Sequence, residues 1–555
     1  MSRKKTHREI QPDEIFIDAS NVSDLNRDQF EGRIERPLSR GSFVVSGGVL
    51  MFVFFLLLFR AGNLQIVHGK TFAAQAIENQ LSQKILFADR GSIVDRNSVP
   101  LAYNERNNIG DDFPTRVYAP YRGLAHVVGY VKPPAKDSSG VYYRNAFFGV
   151  DGAERAYNNA LAGINGVKLT ETDAHSKVIS ESVTQPTQTG GEVTLSIDAQ
   201  VTQGLYDSIA KLAQQSGFQG GSGVIMDVNT GEILALTSYP EFSQNGLTQG
   251  DAEALATTMA DHRQPFLNRA LSGLYAPGSI VKPIVATAAL TEGVIDEYKQ
   301  ILSTGSISIP NPYDKTKPSV FRDWRAQGWV DVRRAIEVSS DVYFYEVGGG
   351  FENQPGLGID RLDKYFKMFG FGVDAGLVGY PEQVGNIPTP TWKAKNFPAD
   401  PTWRIGDTYH TAIGQYGVQV TPLQAVREAA AIANGGKLVT PTLVASTTAQ
   451  STTLPVSSHA LQVVREGMRL GVTEGIAGAV KLDFVNVAAK TGTAQIGAHN
   501  EFINSWMIGF FPYEHPRFAY AVVLERGPAH TSMGSPAATG QFLNWLHENA
   551  PQYVE

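Results

Sequence analysis

Cysteine is absent from the 555 residues of this chain. Its absence excludes disulfide scaffolds, thiolate metal sites and cysteine nucleophiles. The 11 histidines include no pair four residues apart and form no zinc-binding pattern, so we expect neither a metal ion nor a cofactor. Long basic stretches are also absent. The net charge of -7 is spread thinly along the chain, which argues against a nucleic-acid partner.

Charged residues make up only 18% of the chain and apolar residues 42%, a composition that excludes a disordered or coiled-coil protein. At roughly 150 residues per domain, the length predicts three or four domains with at least one large core.

One segment carries no charge at all. Residues 41–59 lack charged side chains, and the stretch from Val49 to Phe59 is apolar throughout. As a helix the segment is about 28 Å long, close to the thickness of the hydrocarbon core of a membrane. A buried helix and a cleaved signal peptide are the alternatives, but some forty residues precede the segment and no small-residue cleavage site follows it. We therefore predict a single-pass anchor at residues 42–60.

Basic residues flank this anchor unequally. Arg60 and Lys70 follow it, whereas the arginines that precede it closely are Arg27, Arg33, Arg36 and Arg40. The positive-inside rule therefore predicts that residues 1–41 are a cytoplasmic tail. The rest of the chain would then lie outside the plasma membrane, in the periplasm where the cell has an outer membrane.

Two regions follow the anchor. Residues 61–190 show a juxtamembrane helix from Leu64 to Ile77 and then short strands between turn clusters, which predicts an irregular α+β module. From residue 191 onward the elements are longer. The predicted strands there are 224–228 and 233–237, joined as a hairpin, and then 485–489, 506–511 and 518–524, with a final helix at 536–547.

About 250 mostly helical residues separate the hairpin from the last three strands. A sheet built from both ends of a domain, with helices inserted between them, predicts an α+β fold. The active site of such a domain would lie where the sheet and the helical insert meet.

Residues 275–290 contain a serine and a lysine that could act as nucleophile and base. Pro277-Gly278 ends a loop, and Ser279 begins a nearly all-apolar helix that is predicted to be buried and to end before Gly293. Lys282 follows Ser279 by three residues, so both lie on one face of the first turn. A buried lysine is more easily neutral and can take the proton of a serine nucleophile. The spacing alone is common, since chance gives it about twice in such a chain.

Two further motifs accompany this pair. Ser339-Ser340-Asp341 stands at the predicted start of an amphipathic helix, where by itself it is typical of an N-cap. Lys490-Thr491-Gly492-Thr493 follows the predicted strand 485–489, where it could also be a hairpin end. A glycine in a strand allows a substrate backbone to approach, and the lysine and hydroxyls can bind a carboxylate. Together the three motifs indicate acyl transfer by a serine nucleophile.

These motifs, in this order, resemble those of the class B, monofunctional penicillin-binding proteins. The resemblance runs from the anchor to the C-terminus, although Ser98 stands where the family usually has glycine. Further segments that resemble the family are residues 90–97, 149–154, 161–166, 268–270, 414–415 and 421–424.

The resemblance implies a non-catalytic, dimerisation-type pedestal at residues 61–190 and a transpeptidase domain at residues 191–555, with an antiparallel sheet flanked by helices. It also implies the activity, which is peptidoglycan D,D-transpeptidation through a serine acyl-enzyme, with D,D-carboxypeptidase action as a side activity. Penicillin and other β-lactams would bind covalently to the same serine.

The resemblance further implies the role of each site residue. Ser279 would attack the carbonyl between two D-alanines, Lys282 would be the base, and Ser339 would relay a proton to the leaving amine. The backbone NH groups of Ser279 and Thr493 would form the oxyanion hole. The catalytic residues would be Ser279, Lys282, Ser339, Asp341 and Lys490. Lys490, Thr491 and Thr493 would hold the terminal carboxylate of the substrate. The substrate-binding residues would be Thr491, Gly492 and Thr493.

The second motif departs from the usual S-x-N of the family, because Asp341 replaces the asparagine. Asp341, the run Tyr343-Phe344-Tyr345 and Thr491 resemble the elongation type, penicillin-binding protein 2, rather than the septal type. A septal transpeptidase, a β-lactamase, and a penicillin-recognising sensor or scaffold without turnover stay open as alternatives.

Residues 61–190 lack the E-D-x-x-F-x-x-H pattern of a peptidoglycan glycosyltransferase. The resemblance therefore implies a separate, membrane-embedded glycosyltransferase and other elongation proteins as partners. Stem peptides and β-lactams would be the ligands.

Overall fold

The computed structural model describes residues 40–106, 110–172, 177–311, 314, 316–445 and 448–555, and of residues 75–80 it describes the backbone only. Residues 1–39 of the predicted tail lie outside this part of the chain.

The charge-free segment forms one long helix, Arg40–Gly62, which continues as a π-helical turn, Asn63–Val67. No residue of either element is buried. Within the described ranges it is the one helix long and apolar enough to cross a membrane. The next helix, Gly69–Gln80, begins later than the predicted Leu64, because the anchor helix and its π-helical turn occupy the chain up to Val67.

The region after the anchor is built from short elements around a buried ion cluster. Arg90 and Arg116 each place Nε within 2.7 Å of a carboxylate oxygen of Glu154, and the three side chains are fully buried. The segments 90–97 and 149–154, far apart in the sequence, meet at this cluster. A buried charge is tolerated when it is paired and hydrogen-bonded, so the cluster fixes the two segments against each other.

The elements of this region are as follows. Four strands form one sheet in the order Val193–Thr194, Ile93–Val94, Pro100–Glu105 and Thr115–Tyr118. The other strands are Leu81–Leu86, Val131–Lys132, Ala135–Lys136, Tyr142–Arg144, Phe148–Gly149, Gly166–Thr172 and Val178–Gln185. The helices are Ala125–Val128, Gly152–Ala156 and Asn158–Leu161.

A five-stranded antiparallel sheet forms the centre of the C-terminal region, and it is built from both ends of that region as predicted. Its strands are β1 (Gly220–Asp227), β2 (Ile233–Tyr239), β3 (Ala488–Ile496), β4 (Phe502–Phe511) and β5 (Phe518–Pro528). The spatial order is β2-β1-β5-β4-β3, so β3 is an edge strand. The α+β fold class is thereby confirmed.

Helices cover both faces of this sheet. The helices used below are α1 (Ala199–Ser216), α2 (Lys282–Thr291), α3 (Asp341–Gly349), α4 (Pro422–Ala433), α5 (Ser458–Thr473) and α6 (Ser535–Asn549). Helices α1 and α6 pack together on one face, where α1 contributes Leu205 and Ile209 and α6 contributes Phe542. Helix α4 packs on β5 and β1 from the other face, and all of its residues are buried.

The remaining elements belong mainly to the helical insert. Its shorter helices are Gln244–Gln249, Ala252–Ala260, Arg269–Ser272, Val332–Glu337, Ile359–Met368, Pro390–Asn396 and Ile405–Ala412. Its strands are Ile301–Ser303, Ser306–Ile309, Ser319–Arg322, Gly328–Val330, Lys437–Val439 and Ser451–Thr453. The 3₁₀ turns of the C-terminal region are Gly278–Val281, Gly478–Val480 and Pro551–Tyr553.

Two sequence predictions about these elements are wrong. Strand β3 begins at Ala488, so the third motif lies inside the strand rather than after its end. Arg469 binds the residues just before β3. Its guanidinium donates hydrogen bonds to the Val487 carbonyl and to the Asn486 side chain. Helix α3 is buried on all sides from Val342 to Gly348 and is not amphipathic.

Candidate active site

Ser279 lies in a 3₁₀ turn, Gly278–Val281, and the α-helix α2 begins only at Lys282. The predicted helix start at Ser279 is therefore early by one turn. Pro283 occupies the first turn of α2, where its missing N–H costs no hydrogen bond. The helix is buried from Lys282 to Ala289, whereas Ser279 is only half-buried and lines a cleft.

Two glycines allow the nucleophile turn to lie against strand β3. Gly278 has a φ of +56°, and a Cβ there would be 2.8 Å from the carbonyl oxygen of Thr493. A Cβ on Gly492 would be 2.7 Å from the carbonyl oxygen of Pro277. The missing side chain of Gly492 thus makes room for the nucleophile turn, and its contact with a substrate backbone stays a prediction.

The three residues of the second motif, Ser339-Ser340-Asp341, have different structural roles. Ser340 is the N-cap of α3, and its hydroxyl accepts a hydrogen bond from the Tyr343 backbone N–H at 3.3 Å. Ser339 has a φ of +57°, which is rare for a residue other than glycine and is concentrated at functional sites. Asp341 begins the helix, so all three side chains are fixed by one turn.

Asp323, which the sequence analysis did not single out, holds this turn in place. Its carboxylate accepts hydrogen bonds from the Ser340 hydroxyl at 2.7 Å and from the Val342 N–H at 3.1 Å. The Ser303 hydroxyl donates to the same oxygen at 3.1 Å. No sequence motif marks Asp323, because its partners come together only in the fold.

The hydroxyl of Ser339 lies between two buried lysines. Lys490 Nζ donates to Ser339 Oγ at 2.8 Å, and Lys282 Nζ donates to the same oxygen at 3.1 Å. Lys282 also donates to the Ser339 carbonyl and forms an ion pair with Asp341, both at 2.7 Å. Lys282 is fully buried and Lys490 is 2% exposed. The three motifs therefore meet at one point.

The Lys282 amine is directed toward Ser339 and Asp341, and no hydrogen bond joins it to Ser279 within the described ranges. The sequence analysis expected a direct approach of Lys282 to Ser279. Ser279 and Ser339 instead line the same cleft, with Thr491 and Thr493 on β3 beside them.

Burial and charge act together on Lys490. The pKa of Lys490 lies well below its usual range, because the amine is buried and because the charge of Lys282 is close. The negative charge of Asp341 acts in the opposite direction, as does that of Glu428 when its carboxyl is ionised. Glu428 lies on the buried helix α4, and burial raises the pKa of its carboxyl well above the usual range. A glutamate within a mainly apolar helix was the available sequence signal for this residue.

The cleft has a volume of about 950 Å³. Its lining includes Thr491, Thr493 and Gln495 of strand β3, and also residues 320–324 and His410. The His410 ring packs 5.4 Å from the ring of Phe321, and burial lowers its pKa, so it is neutral at pH 7. The sequence analysis did not single out these residues, because no spacing pattern links them to the three motifs.

Two family models match the chain. The Penicillin binding protein transpeptidase domain matches residues 221–546, and the Penicillin-binding Protein dimerisation domain matches residues 111–195. The first match includes the three motifs that meet at Ser339.

Curated relatives are similar to the chain over about three quarters of its length. The peptidoglycan D,D-transpeptidase MrdA of Haemophilus influenzae is 30% identical over 470 residues, which cover 77% of this chain and 69% of the relative. MrdA of Escherichia coli is 31% identical over 464 residues, which cover 76% of this chain and 70% of the relative.

Solved structures share the fold. PBP2 of Pseudomonas aeruginosa is 29% identical with a TM-score of 0.67, and the match covers 84% of this chain and 98% of that one. The Helicobacter pylori complex of PBP2 with MreC is 26% identical with a TM-score of 0.70, covering 85% and 99%. By its family model, its curated relatives and its fold, the chain belongs to the penicillin-binding protein transpeptidases, and the relatives and structures described above are of the MrdA (PBP2) type.

Proposed function

We propose that the chain cross-links peptidoglycan stem peptides as a serine D,D-transpeptidase, with Ser279 as the nucleophile. The observation that carries the proposal is the Ser339 hydroxyl, which lies between the amines of Lys282 and Lys490 in the cleft that Ser279 lines. Two buried amines and a hydroxyl beside a half-buried serine form a path along which a proton can move during acyl transfer. The curated relatives are named D,D-transpeptidases.

In the first half-reaction, Ser279 Oγ attacks the carbonyl between the two terminal D-alanines. Lys282 accepts the Ser279 proton when its amine is neutral, and Asp341, at 2.7 Å, stabilises the ammonium that forms. A proton then passes through Ser339 to the leaving amine, and D-alanine departs. In the second half-reaction, the amine of another stem peptide attacks the acyl-enzyme and frees Ser279.

Strand β3 offers the substrate both charge and backbone groups. As an edge strand it has backbone N–H and C=O groups that an extended peptide can pair with. Lys490, Thr491 and Thr493 would bind the terminal carboxylate, and the N–H groups of Ser279 and Thr493 would stabilise the oxyanion. The close approach of Gly278 to the Thr493 carbonyl supports this pairing of N–H groups.

The test of this function is release of D-alanine from a synthetic pentapeptide that ends in D-Ala-D-Ala. Full-length protein in detergent should release D-alanine, and it should form a cross-linked product when a second stem peptide is supplied as the acceptor. Benzylpenicillin should abolish both. A protein that binds penicillin but releases no D-alanine would be the sensor or scaffold. One that rapidly releases penicilloate would be a β-lactamase.

We also propose that the enzyme acts in cell elongation, since its relatives are of the MrdA (PBP2) type and Asp341 replaces the asparagine of the usual second motif. Depletion of the protein in a rod-shaped host should give rounded cells, because side-wall synthesis would stop while division continued. Microscopy during depletion measures this. Long filaments with blocked septa would identify a septal enzyme instead.

The same proposal includes the topology and the partners. The N-terminus would be cytoplasmic and the catalytic region, with a pedestal at residues 61–190 and a transpeptidase domain at 191–555, would lie outside the plasma membrane. A reporter that functions only in the periplasm, fused after residue 190, should be active, and a cytoplasmic reporter there should be silent.

A separate membrane glycosyltransferase would supply the glycan strands, because residues 61–190 lack that enzyme's sequence pattern.

The Asp341→Asn variant should change the pH dependence of acylation. The negative charge of Asp341 raises the pKa of Lys490, against the larger effects of burial and of Lys282. Its removal lowers the pKa of Lys490 further, so the neutral amine persists to lower pH. Lys490 donates to the Ser339 hydroxyl that relays the proton, so its protonation state affects this relay. The acidic limb of the benzylpenicillin acylation rate should therefore move to lower pH, as stopped-flow measurements across pH would show.

The matched control is Asp407→Asn, which removes a carboxylate that pairs with Lys393 at 2.6 Å instead. Asp407 does not contribute to the pKa of Lys490, so the acidic limb should stay in place. If the acidic limb of the acylation rate in Asp341→Asn coincided with that of the parent protein, the charge of Lys490 would not control acylation.

A further inference from the structure

The cleft contains a histidine that the proposed mechanism does not use. His410 lies on the helix Ile405–Ala412 and lines the cleft together with Ser279. Its ring packs against the rings of Phe321 and Tyr345, at centre-to-centre distances of 5.4 and 6.3 Å, and both of those residues also line the cleft. These contacts place the imidazole itself at the cleft.

The backbone that carries this imidazole is fixed relative to the catalytic residues. Its helix packs against α3, and the His410 carbonyl accepts a hydrogen bond from the Gln415 N–H at 2.9 Å. The carbonyl of the adjacent Gly414 accepts one from the Gly278 N–H at 3.0 Å, in the turn that holds the nucleophile. The imidazole therefore has a defined position beside the serine that carries the acyl group.

The imidazole is available as a base. Within the described ranges neither ring nitrogen of His410 forms a hydrogen bond, and neither is closed off from solvent. One nitrogen of a neutral imidazole can accept a proton. Burial lowers the pKa of His410 below its usual range, so this neutral form predominates at pH 7.

Carboxylates act on the imidazole from two of the three elements packed against it. Asp407 lies on its own helix and Asp341 on α3, and both raise the pKa of the imidazole against the larger effect of burial. Each of these carboxylates is already paired with a lysine. The third element is the strand that carries Phe321, and the two charged residues at its end, Arg322 and Asp323, have opposite signs.

The second half-reaction needs a base besides the relay through Ser339. The acceptor is an amine of another stem peptide, and an alkyl amine is protonated in water at pH 7. This ammonium must lose two protons before an amide is complete. The relay through Ser339 returns one of them to the Ser279 oxygen, so the other needs a separate acceptor.

We infer that His410 is a catalytic residue of the second half-reaction, where it takes a proton from the acceptor ammonium; this inference rests on the proposed function. Burial of the ammonium in the cleft favours loss of that proton to the imidazole. The neutral amine then attacks the acyl carbonyl, and a C–N bond forms while the C–O bond to Ser279 Oγ breaks. The second proton reaches Ser279 Oγ through Ser339, and the imidazolium releases its proton to water.

The His410→Gln variant separates the two half-reactions, because glutamine is polar but cannot take up a proton at pH 7. Full-length protein in detergent receives a synthetic pentapeptide ending in D-Ala-D-Ala as donor and a second stem peptide with a free amine as acceptor. The variant should form the cross-linked product about 100-fold more slowly, as expected for loss of a general base. Its acylation by benzylpenicillin should be as fast as that of the parent.

Two readouts distinguish a base from a structural role. At low acceptor concentration the cross-linking rate of the parent should level off above the pKa of His410. The rate of His410→Gln should keep rising with pH, because only acceptor that is already neutral can react. Hydroxylamine is neutral at pH 7 and needs no base, so as the acceptor it should give product equally fast with both proteins.

His459→Gln is the matched control. The His459 side chain is 65% exposed, lies 3.1 Å from Glu297 and does not line the cleft, so this variant should keep both half-reactions. Equal loss of acylation and cross-linking in His410→Gln, loss of neither, or an equal loss with hydroxylamine would overturn the inference. A wild-type protein that penicillin acylates but that cross-links no peptide would instead refute the proposed function.

Discussion

The Ser279→Ala variant should form no covalent adduct with benzylpenicillin, whereas the parent protein should form one adduct per chain. Ser279 is the one member of the first motif that is half-buried and open to the cleft, whereas Lys282 is enclosed behind it. Without the hydroxyl there is no nucleophile to open the β-lactam ring. Intact-protein mass spectrometry after incubation with the antibiotic measures the result.

Two controls separate chemistry from folding. Loss of one half-buried hydroxyl at a cleft costs little, so Ser279→Ala should melt within a few degrees of the parent. Ser339→Ala removes a hydroxyl from the same cleft, but it should still form the adduct, only more slowly, because in the proposed mechanism Ser339 relays a proton and forms no bond to the substrate. An adduct on a serine other than Ser279 would displace the whole assignment.

Local patterns in the sequence predicted much of this molecule. The anchor, the hairpin of β1 and β2, and the terminal strands β4 and β5 each depend on a continuous run of side chains with one periodicity. The fold class follows from the order of those elements. The start of β3 was misplaced, because the apolar run 485–489 continues upstream of the strand, where Arg469 and Asn486 bind the loop through long-range contacts.

In the candidate site, too, the local motifs were predicted and the contacts between distant residues were not. Motif spacing identified Ser279, Lys282, Ser339, Asp341 and Lys490, because each motif is local. The spacing did not predict that the Ser339 hydroxyl lies between two lysines, since they come from α2 and from β3, more than two hundred residues apart in the sequence.

The residues that the sequence analysis missed have no motif of their own. Asp323 fixes the second motif by accepting hydrogen bonds, and Glu428 acts on Lys490 through charge. His410 completes the cleft wall by packing on Phe321. Their contributions arise only when the helical insert folds over the sheet, so a reading of short patterns misses all three.

The role of Lys282 can be tested by removing its amine. Lys282→Ala should slow acylation by benzylpenicillin about 100-fold or more, the usual range for loss of a general base. That factor corresponds to about 2.7 kcal/mol of transition-state stabilisation. The physical reason is that the variant leaves Asp341 without its ion-pair partner and the Ser339 hydroxyl held by Lys490 alone. Stopped-flow acylation kinetics provide the measurement.

Lys393→Ala is the matched control for a buried lysine. Lys393 pairs with Asp407 at 2.6 Å and its side chain is 6% exposed, so its removal breaks a comparable ion pair. Both variants should lose stability, but only Lys282→Ala should lose acylation. If Lys282→Ala acylated as fast as Lys393→Ala, the base would have to be Lys490, because its amine is the other one bound to Ser339 and its low pKa already favours the neutral form.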